Sequence, residues 1–419
     1  MASNQIISVY LFGQEIGKIG LAEDERRSSF QYHPLFLERN VMQNIFPQTG
    51  IIKRTPHVQL FNQFNGATFQ GILPQFADSL PDAFGSLIFK TWLDSKQQKN
   101  ISVLEQLAYV GNRGMGALEY RPVKKLPDRA KVDLDEIMEV LQKVLDLKKS
   151  SKEKKMNDQS LINIFRLGTS AGGVRPKILI SESKEDGKII PGDLEYSDKY
   201  NHYIVKLAMD KDYPREKVEY CYYTILRNMG IRMMDSKLIE DKHFATLRFD
   251  RQDGEKKHVL TATGITGWDY KDPVNSSYEN LFKLSSYLKI PHVQMVELFK
   301  RMVFNLVYGN TDDHLKNHSF IYNQATDSWE LSPAYDITFA LNPLLNFKTS
   351  QRALSINGKR NNIFLKDVYT IAENYTIKNP KGIIKQVQSA QKELLKLFRQ
   401  HNIPKLVSER INESIIQLI

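Results

Sequence analysis

Three oxygen-bearing side chains in the C-terminal half of the sequence have a spacing that suits phosphoryl transfer. Asp312 and Asn317 lie five residues apart in the segment NTDDHLKN, and Asp336 follows Asn317 by 19 residues. In enzymes of the protein-kinase type, an aspartate orients the acceptor hydroxyl, an asparagine five residues later binds Mg²⁺, and a second aspartate binds it again. Mg²⁺ prefers such oxygen ligands. The spacing therefore predicts Asp312 as the catalytic base and Asn317 and Asp336 as metal ligands.

A glycine-rich segment, GTSAGGVRPK, ends at Lys177 between two predicted strands. Gly172 and Gly173 let backbone N–H groups approach an anion, and Arg175 and Lys177 add positive charge. The segment is not a Walker A loop, because it lacks the Gly-Lys-Ser/Thr ending and Pro176 with a β pattern replaces the required helix. A glycine loop between two strands is typical of kinase nucleotide sites. For this segment alone, an ordinary hairpin remains an open alternative.

Lys206 ends an apolar strand predicted at residues 202–207. From that position its ammonium group can neutralise the α- and β-phosphates of a nucleotide, and Glu219 on the following helix can hold it through an ion pair. Taken alone, Lys206 fits equally well as an ordinary lysine of an edge strand. The order of loop, lysine and the Asp-Asn-Asp set favours kinase chemistry over that alternative.

Other interpretations of the same residues have less support. Ser170 lies in a Gly-x-Ser-x-Gly motif, as in serine hydrolases, but that motif must open a helix, and Pro176 with the β pattern after it argues against one. His314 and His318 have the spacing of a helical zinc pair but lack the Glu of His-Glu-x-x-His. Asp313, beside Asp312, is predicted to have a structural role.

Two other function classes stay open. A small-molecule kinase, of the aminoglycoside or lipid type, would use the same Asp, Asn and Asp set, so only substrate tests with ATP separate it from a protein kinase. A non-catalytic, DNA-associated scaffold fits the net charge of +10. Tight Mg²⁺-ATP binding with turnover would dismiss the scaffold.

Short elements with different periodicities must position these residues. The sequence predicts β-strands at residues 6–12, 15–21, 161–167, 177–181, 202–207, 237–240 and 244–249. Apolar residues at three- and four-residue steps predict helices at 101–110 and 133–148, and a helix at 217–229 is closed by Gly230. From residue 278 onward the chain is mostly helical, with a predicted hairpin of strands 319–322 and 328–331 between Asn317 and Asp336.

Composition indicates a globular chain of several lobes. The 419 residues are 41% hydrophobic and 25% charged, which argues against extensive disorder. The single cysteine, Cys221, excludes an internal disulfide framework and a thiolate metal cluster, and it is expected to be a buried apolar residue. The N-terminus lacks the pattern of a secretory signal, and no stretch is long and apolar enough to span a membrane. We therefore expect a cytoplasmic protein without membrane contact.

Several motifs together resemble the HipA-type serine/threonine kinases of bacterial toxin–antitoxin modules. They are the segment 170–177, Lys206, RFDR at 248–251, the segment 310–317 and Tyr335-Asp336, and LPDAFG at 80–85 looks like the N-terminal subdomain of that family. The resemblance implies an α+β, two-lobed protein-kinase-like fold with a small β-rich N-terminal subdomain and a helical C-terminal lobe. The expected divisions are an N-terminal subdomain at 1–115, a kinase N-lobe at 116–249 and a C-lobe at 250–419.

The same resemblance implies ATP and Mg²⁺ as cofactors, with Asp312 as base, Asn317 and Asp336 on the metal, and Ser170 as the autophosphorylated serine. The implied cofactor-binding residues are Gly172, Gly173, Val174, Arg175, Pro176, Lys177, Lys206, Leu247, Arg248, Phe249, His314, Lys316, Asn317, Tyr335 and Asp336. The implied partners are a helix-turn-helix antitoxin and a protein of the translation machinery such as an aminoacyl-tRNA synthetase. DNA would be reached only indirectly, through the antitoxin.

Two positions depart from the expected pattern. Leu247, at the predicted adenine-binding hinge, is apolar where this family often has a glutamate. Asn310-Thr precedes Asp312 where protein kinases have His-Arg, so the usual arginine that pairs with a phosphate of the activation loop is absent. Control by ordinary activation-loop phosphorylation is therefore not expected.

Overall fold

The structure is a computed structural model. It describes residues 6–22, 27–39, 41–47, 50–81, 85–86, 89–90, 93, 101–124, 137, 175–192, 197–345 and 351–418. Most of the predicted helix at 133–148 and the whole predicted strand at 161–167 lie outside these ranges. So do four residues of the glycine-rich segment to which the sequence analysis gave a role: Ser170, Gly172, Gly173 and Val174.

The N-terminal part is a five-stranded antiparallel sheet in the order β4-β3-β2-β1-β5. Its strands are β1 Ile6–Leu11, β2 Gln14–Leu21, β3 Ser28–Tyr32, β4 Gln59–Phe61 and β5 Leu118–Arg121. The predicted hairpin of residues 6–12 and 15–21 is confirmed as β1 and β2, which turn at Gly13 with φ 76°. Ile7, Val9 and Leu11 alternate into the core, as a half-buried strand requires.

Among the described residues that accompany this sheet are the helices α1 Pro34–Glu38, α2 Pro74–Ala77 and α3 Val103–Val110. The helix predicted at 101–110 is confirmed as α3. Ser102 explains where it begins, because its hydroxyl accepts from the N–H of Glu105 while the Glu105 carboxylate accepts from the N–H of Ser102.

A second five-stranded sheet follows in the order β7-β6-β8-β10-β9. Its strands are β6 Lys177–Ser183, β7 Ile189–Pro191, β8 Tyr200–Lys206, β9 Ser236–Ile239 and β10 His243–Leu247, and the helix α4 Arg215–Asn228 packs against it. Helix α4 begins two residues before the predicted start, directly after Pro214, and Gly230 follows it with φ 75° as predicted.

The strand predicted at 244–249 is shifted: β10 ends at Leu247, so Arg248 and Phe249 lie beyond it. The Arg248 N–H donates to the carbonyl of His202 (2.8 Å) while the Arg248 side chain turns to Asp250 (2.9 and 2.8 Å). The backbone of Arg248 thus still follows β8, while its side chain turns towards the next segment.

The rest of the chain is mostly helical. Its strands are β11 Arg251–Gln252, β12 Glu255–Lys256, β13 His258–Thr261, β14 Ser319–Asn323 and β15 Ser328–Leu331. Its helices are α5 Ala262–Thr266, α6 Tyr278–Tyr287, α7 His292–Val307, α8 Leu365–Asn374, α9 Pro380–Ser389, α10 Gln391–Gln400 and α11 Lys405–Glu413. The predicted hairpin before Asp336 is confirmed as β14 and β15, to which β13 pairs as a third antiparallel strand.

Helix α7 forms the centre of this helical part. Its inward side chains are fully buried, among them Leu298, Phe299, Met302 and Val303. The helix delivers the chain directly to the segment of Asp312, so the position of that residue is set by a packed core. Among the described residues, no helix combines the length and the apolar composition that crossing a membrane requires.

Candidate active site

The segment between α7 and β14 forms a compact loop around Asp312 (residues 308–318). We call it the catalytic loop after the base that the sequence predicts at Asp312. The Asn317 side-chain amide donates to the Asp312 carbonyl (2.9 Å), and a 3₁₀ turn, Leu315–Asn317, closes the loop. Tyr335 braces the turn, because its hydroxyl donates to the Lys316 carbonyl (2.8 Å) and lies 2.5 Å from the Ser319 hydroxyl. These contacts bring the two predicted metal ligands close to Asp312 in the fold.

Lys206, from the end of β8, lies between two carboxylates. Its ammonium group donates to Glu219 of α4 (2.5 Å) and to Asp336. Burial alone would lower the pKa of Lys206, but Asp336 and Glu219 together raise it above its usual value. The ion pair with Glu219 predicted from the sequence is present, and the contact with Asp336 joins the second sheet to the helical part. We call Lys206, Glu219, Asp312, Asn317 and Asp336 the interlobe site.

Further cations surround Asp336. Burial favours a raised pKa for this carboxyl group, but the positive charges of Lys206, Lys177 and Arg175 outweigh it and hold the pKa well below its usual range. Asp336 therefore carries a full negative charge at neutral pH. Its backbone has φ 57°, in the left-handed region that few residues other than glycine adopt. A strained residue of this kind persists only where its surroundings require it.

Asp312 has a different electrostatic setting. The residue is exposed, yet partial burial of its carboxyl group raises the pKa, and the negative charge of Asp336 raises it further against the opposing effect of His314. A raised pKa makes this carboxylate a better proton acceptor than an ordinary aspartate.

The donor set of the interlobe site fits Mg²⁺. Because the Asn317 amide nitrogen is engaged with the Asp312 carbonyl, its amide oxygen is the atom left for a cation. The Asp336 carboxylate is ionised and partly exposed, with 27% of its side chain accessible. Carboxylate and amide oxygens are the hard ligands that Mg²⁺ takes, and Lys206, Lys177 and Arg175 supply the positive charge that a nucleotide phosphate requires.

Comparison with known proteins identifies the family. The family model described as the HipA-like C-terminal domain matches residues 169–394, more than half of the chain, and the HipA N-terminal domain matches residues 7–121. The chain belongs to the HipA family. This confirms the family predicted from the motifs.

Two curated relatives of this HipA-family chain carry kinase names. A "Putative kinase" of Haemophilus influenzae is 26% identical over 189 residues, which cover 40% of this chain and 52% of that protein. A "Serine/threonine-protein kinase toxin HipA" of Shewanella oneidensis is 25% identical over 197 residues, covering 40% of this chain and 42% of that protein. The matched segments thus span about half of the length of these relatives.

A solved structure shares the fold. It is the Shewanella oneidensis HipA, HipB and operator DNA complex, whose matching chain has a TM-score of 0.67 at 16% identity. The match covers 97% of this chain and 94% of the other. The predicted fold class, a kinase-like α+β fold with a β-rich N-terminal region and a helical C-terminal part, is confirmed.

The predicted hinge residues of this HipA-family chain have most of their hydrogen-bonding groups engaged. The N–H groups of Leu247 and Arg248 donate to the carbonyls of Asp235 (2.9 Å) and His202 (2.8 Å). The Phe249 ring packs on Tyr335, with centroids 5.7 Å apart. The Arg248 carbonyl in turn accepts from the Arg251 N–H (3.4 Å), so this carbonyl is engaged as well.

His314 and Lys316 both contact Tyr270. The His314 ring lies 4.8 Å from the Tyr270 ring, and the Lys316 ammonium lies 5.5 Å from its centroid. His318, the other member of the possible zinc pair, packs on Tyr278, and burial lowers its pKa to about 4. The two imidazoles thus have different aromatic neighbours, an arrangement that does not support a zinc pair.

The described part of the glycine-rich segment also bears on the hydrolase alternative. Arg175 and Pro176 are not helical, and β6 begins at Lys177, paired with Lys206 of β8. From Arg175 to the start of β6, the described residues after the motif of Ser170 thus contain no helix, which a nucleophile elbow requires. Cys221, expected to be a buried apolar residue, is completely buried, and burial raises the pKa of its thiol to about 12.

Contacts that join the N-terminal sheet to the rest of the chain were not predicted from the sequence. We call the residues that make these contacts the N-terminal junction. Asp250 accepts from Arg248, Arg251 and the Gly116 N–H, at 2.8 to 2.9 Å. Asp78 accepts from the Thr261 N–H (2.7 Å) and hydroxyl (2.9 Å). The RFDR motif was recognised only through the family resemblance. No local pattern indicated that its two arginines bind the aspartate between them.

Proposed function

We propose that this chain is an ATP- and Mg²⁺-dependent serine/threonine protein kinase that acts in the cytoplasm as the toxin of a toxin–antitoxin module. The observation that carries the proposal is the convergence of Asp312, Asn317, Asp336 and the Lys206–Glu219 pair from distant parts of the chain. Kinase names of two relatives support the same reaction class.

Each residue of the interlobe site has a chemical task in this proposal. Lys206, released in part from Asp336, binds the α- and β-phosphates, while Glu219 holds it in place. Asn317 and Asp336 would hold Mg²⁺, which would supply positive charge near the transferred phosphate. Asp312 orients the acceptor hydroxyl and takes its proton, a task for which its raised pKa suits it. Leu247, Arg248 and Phe249 line the adenine ring.

A label-transfer assay tests this proposal. The full chain is incubated with radiolabelled ATP, Mg²⁺ and a cell lysate, and the labelled proteins are identified by mass spectrometry. Asp312→Asn should abolish transfer while ATP affinity stays near that of the wild type, because the lost interaction acts mainly in the transition state. Near wild-type transfer by Asp312→Asn would refute the assignment of the base. Label on a metabolite in place of a protein would favour a small-molecule kinase.

The partners follow from family membership and belong to the same proposal. The substrate is a component of the translation machinery, such as an aminoacyl-tRNA synthetase, and a helix-turn-helix antitoxin neutralises the kinase and connects it to DNA. Expression without an antitoxin should then arrest growth, and expression of Asp312→Asn should not. Equal toxicity of the two proteins would mean that binding or aggregation stops growth.

Ser170 is the proposed site of autophosphorylation. A phosphate there adds about −1.5 to −2 charge at neutral pH, which repels the nucleotide and can pair with Arg175 and Lys177. Intact-mass measurement after incubation with ATP should show one added phosphate that is absent in Ser170→Ala, and ATP affinity should fall as it accumulates. A phosphorylated chain that binds ATP as well as the unmodified chain would refute the switch and leave the kinase assignment intact.

A further inference from the structure

Arg352 occupies a buried position directly behind the catalytic loop. It lies in the segment that follows Asp336 along the chain, and only 5% of the residue is exposed. Its guanidinium group donates to the Asp313 carboxylate (2.8 Å), to the Asn310 carbonyl (3.0 Å) and to the Asn305 carbonyl (3.2 Å). One side chain therefore binds the last turn of α7, the turn that follows the helix and the residue after Asp312.

Asp313 is the anionic partner, and its oxygens have further donors. Its side chain is 1% exposed, and it accepts from the Tyr278 hydroxyl at 2.6 Å. The Asn305 amide in turn donates to the Tyr278 hydroxyl (3.0 Å), and the Asn310 amide donates to Asn305 (3.0 Å). The network extends from α6 and α7 to the residue next to Asp312, so the backbone of the catalytic loop has few ways to move.

The segment of Arg352 is itself fixed to the loop and to its surroundings. The Ala353 N–H donates to the Thr311 carbonyl (2.8 Å), one residue before Asp312. Arg360 donates to the Arg352 carbonyl (2.8 Å) and to the Ser276 carbonyl (2.9 Å). The anchoring arginine is thus held at both its backbone and its side chain.

The positive and negative groups of this contact are placed the other way round from those in kinases that are activated by phosphorylation. There, an arginine of the catalytic loop pairs with a phosphate on the segment that follows the metal-binding aspartate. Here, the catalytic loop carries the anion, Asp313, and the later segment carries the cation, Arg352. A planar guanidinium with several N–H donors can serve a carboxylate and two carbonyls at once, which the single ammonium of lysine cannot.

We propose that Arg352 is a positioning residue that holds the catalytic loop, through Asp313 and the carbonyls of Asn305 and Asn310, so that Asp312 faces the acceptor hydroxyl without any phosphate on the chain. The inference rests on the proposed kinase function. It adds to that function the contacts that hold the catalytic loop in the geometry required for phosphate transfer. In this proposal, Asp313 supplies the negative charge that Arg352 binds.

The first test separates positioning from nucleotide binding. Transfer of label from radiolabelled ATP to lysate protein is measured for the wild type, Arg352→Met and Arg352→Lys. Arg352→Met should lower kcat by about 100-fold, as a displaced catalytic group does, and leave the KM for ATP near the wild-type value. Arg352→Lys should recover part of kcat. A kcat within about threefold of wild type in Arg352→Met would overturn the proposal, since an anchor of this kind acts on the rate.

The second test separates positioning from folding. Asp313→Asn combined with Arg352→Met removes both charges, so the double variant should regain much of the melting temperature lost by Arg352→Met while kcat stays low. Lys359→Met is the matched control, because it breaks an ion pair with the buried Asp367 (2.8 Å), which belongs to helix α8 and not to the catalytic loop. It should lower the melting temperature and keep kcat. If kcat follows the melting temperature in these variants, Arg352 only stabilises the fold and the proposal fails.

The third test does not depend on phosphate transfer. Amide hydrogen exchange should be faster in Arg352→Met than in wild type at residues 310–317, with helix α10 unchanged. Equal protection of residues 310–317 in both proteins would overturn the positioning role. If the wild type transfers no phosphate to any acceptor, the kinase proposal fails, and the exchange measurement still decides whether Arg352 holds the loop.

Discussion

The interlobe site and the N-terminal junction each place an aspartate among cations. The two aspartates differ in how many hydrogen-bond donors they receive and in how much of the side chain is exposed. At the junction, Asp250 receives donors from Arg248, Arg251 and Gly116, and 4% of its side chain is exposed. At the interlobe site, 27% of the Asp336 side chain is exposed. The second carboxylate oxygen of its neighbour Glu219 has no hydrogen-bond partner among the described residues.

The difference suggests two uses of the same chemistry. Burial would raise the pKa of Asp250, but the two guanidinium groups hold it well below its usual range, and every partner belongs to the fold. Such a cluster stabilises one arrangement of the chain. The two carboxylates of Glu219 and Asp336 share one ammonium group, and the partly exposed Asp336 is accessible to a metal ion. That cluster is arranged to exchange partners.

Asp336→Asn should give the largest effect and act mainly on function. Phosphate transfer should fall by about 1,000-fold, and Mg²⁺-dependent ATP binding should be lost, since a preorganised charge disappears where charge develops. The melting temperature should also fall, because Lys206, Lys177 and Arg175 lose the negative charge of Asp336. The fall should be smaller than in Asp250→Asn, because Lys206 remains paired with Glu219 and part of the Asp336 side chain is exposed. Calorimetric ATP titrations with and without Mg²⁺ measure the binding. An unchanged Mg²⁺ dependence would remove Asp336 from the metal site.

Asp250→Asn should give the opposite result. Removal of the carboxylate leaves Arg248 and Arg251 buried together, which should lower the free energy of unfolding by about 3–5 kcal/mol. Denaturant titration measures this loss, and the fraction that remains folded should bind ATP as the wild type does. A loss below about 1 kcal/mol would mean that the cluster of Asp250, Arg248 and Arg251 contributes less to the free energy of unfolding than its hydrogen bonds suggest.

His258 should make the junction sensitive to pH. Its Nε2 lies 2.9 Å from the Ile45 carbonyl, and burial lowers its pKa to about 4, against about 6.5 in an unfolded chain. The unfolded state therefore binds the extra proton between these values, and stability falls as pH drops from about 6.5 towards 4. Between pH 7 and pH 5 this residue should contribute a loss of about 2 kcal/mol.

His258→Gln keeps a donor towards Ile45 and removes the titration, so stability curves of the two proteins should converge on acidification. His202 and His318 also have a pKa lowered to about 4, and they should leave a residual slope in the variant. Parallel curves for the variant and the wild type would contradict a neutral His258 in the fold.

The exposed edge of the junction should matter least. Asn44 donates hydrogen bonds to Asp327, from its N–H to the carboxylate (3.0 Å) and from its amide to the carbonyl (3.0 Å). Both groups are open to water, so Asn44→Ala should lower the free energy of unfolding by only about 1 kcal/mol. Denaturant titration of Asn44→Ala and Asp250→Asn under the same conditions compares the two losses in the free energy of unfolding. A loss as large as that of Asp250→Asn would show that exposure does not separate the two parts of the junction.

Local patterns account for the parts of the fold that the sequence predicted. Strand β15 alternates polar and apolar residues, β14 is rich in aromatic and β-branched residues, and α4 has a proline before it and Gly230 after it. Lys206, Asp312, Asn317 and Asp336 were found because the chemistry demands particular residue types at particular separations. Such signals need no knowledge of distant contacts.

Long-range contacts account for what the sequence left unpredicted. Arg352 and Asp313 are separated by 39 residues, and Asp78 and Thr261 by 183. Nothing near Arg352 distinguishes it from a surface arginine, and Asp78 looks like any aspartate of a polar loop. The end of β10 was misplaced for the same reason, because Arg248 leaves the strand to reach Asp250, a choice made by the tertiary structure.

The left-handed backbone of Asp336 makes this position respond to substitution in two separate ways. With φ at 57°, glycine and asparagine can adopt the backbone, whereas valine and isoleucine meet a steric barrier there. In a library of all variants at position 336, selection for folded protein would enrich the small set that tolerates this geometry. Selection for phosphate transfer would reduce that set to aspartate. The spread between the two enriched sets would measure how much of the constraint at this position is conformational and how much is chemical.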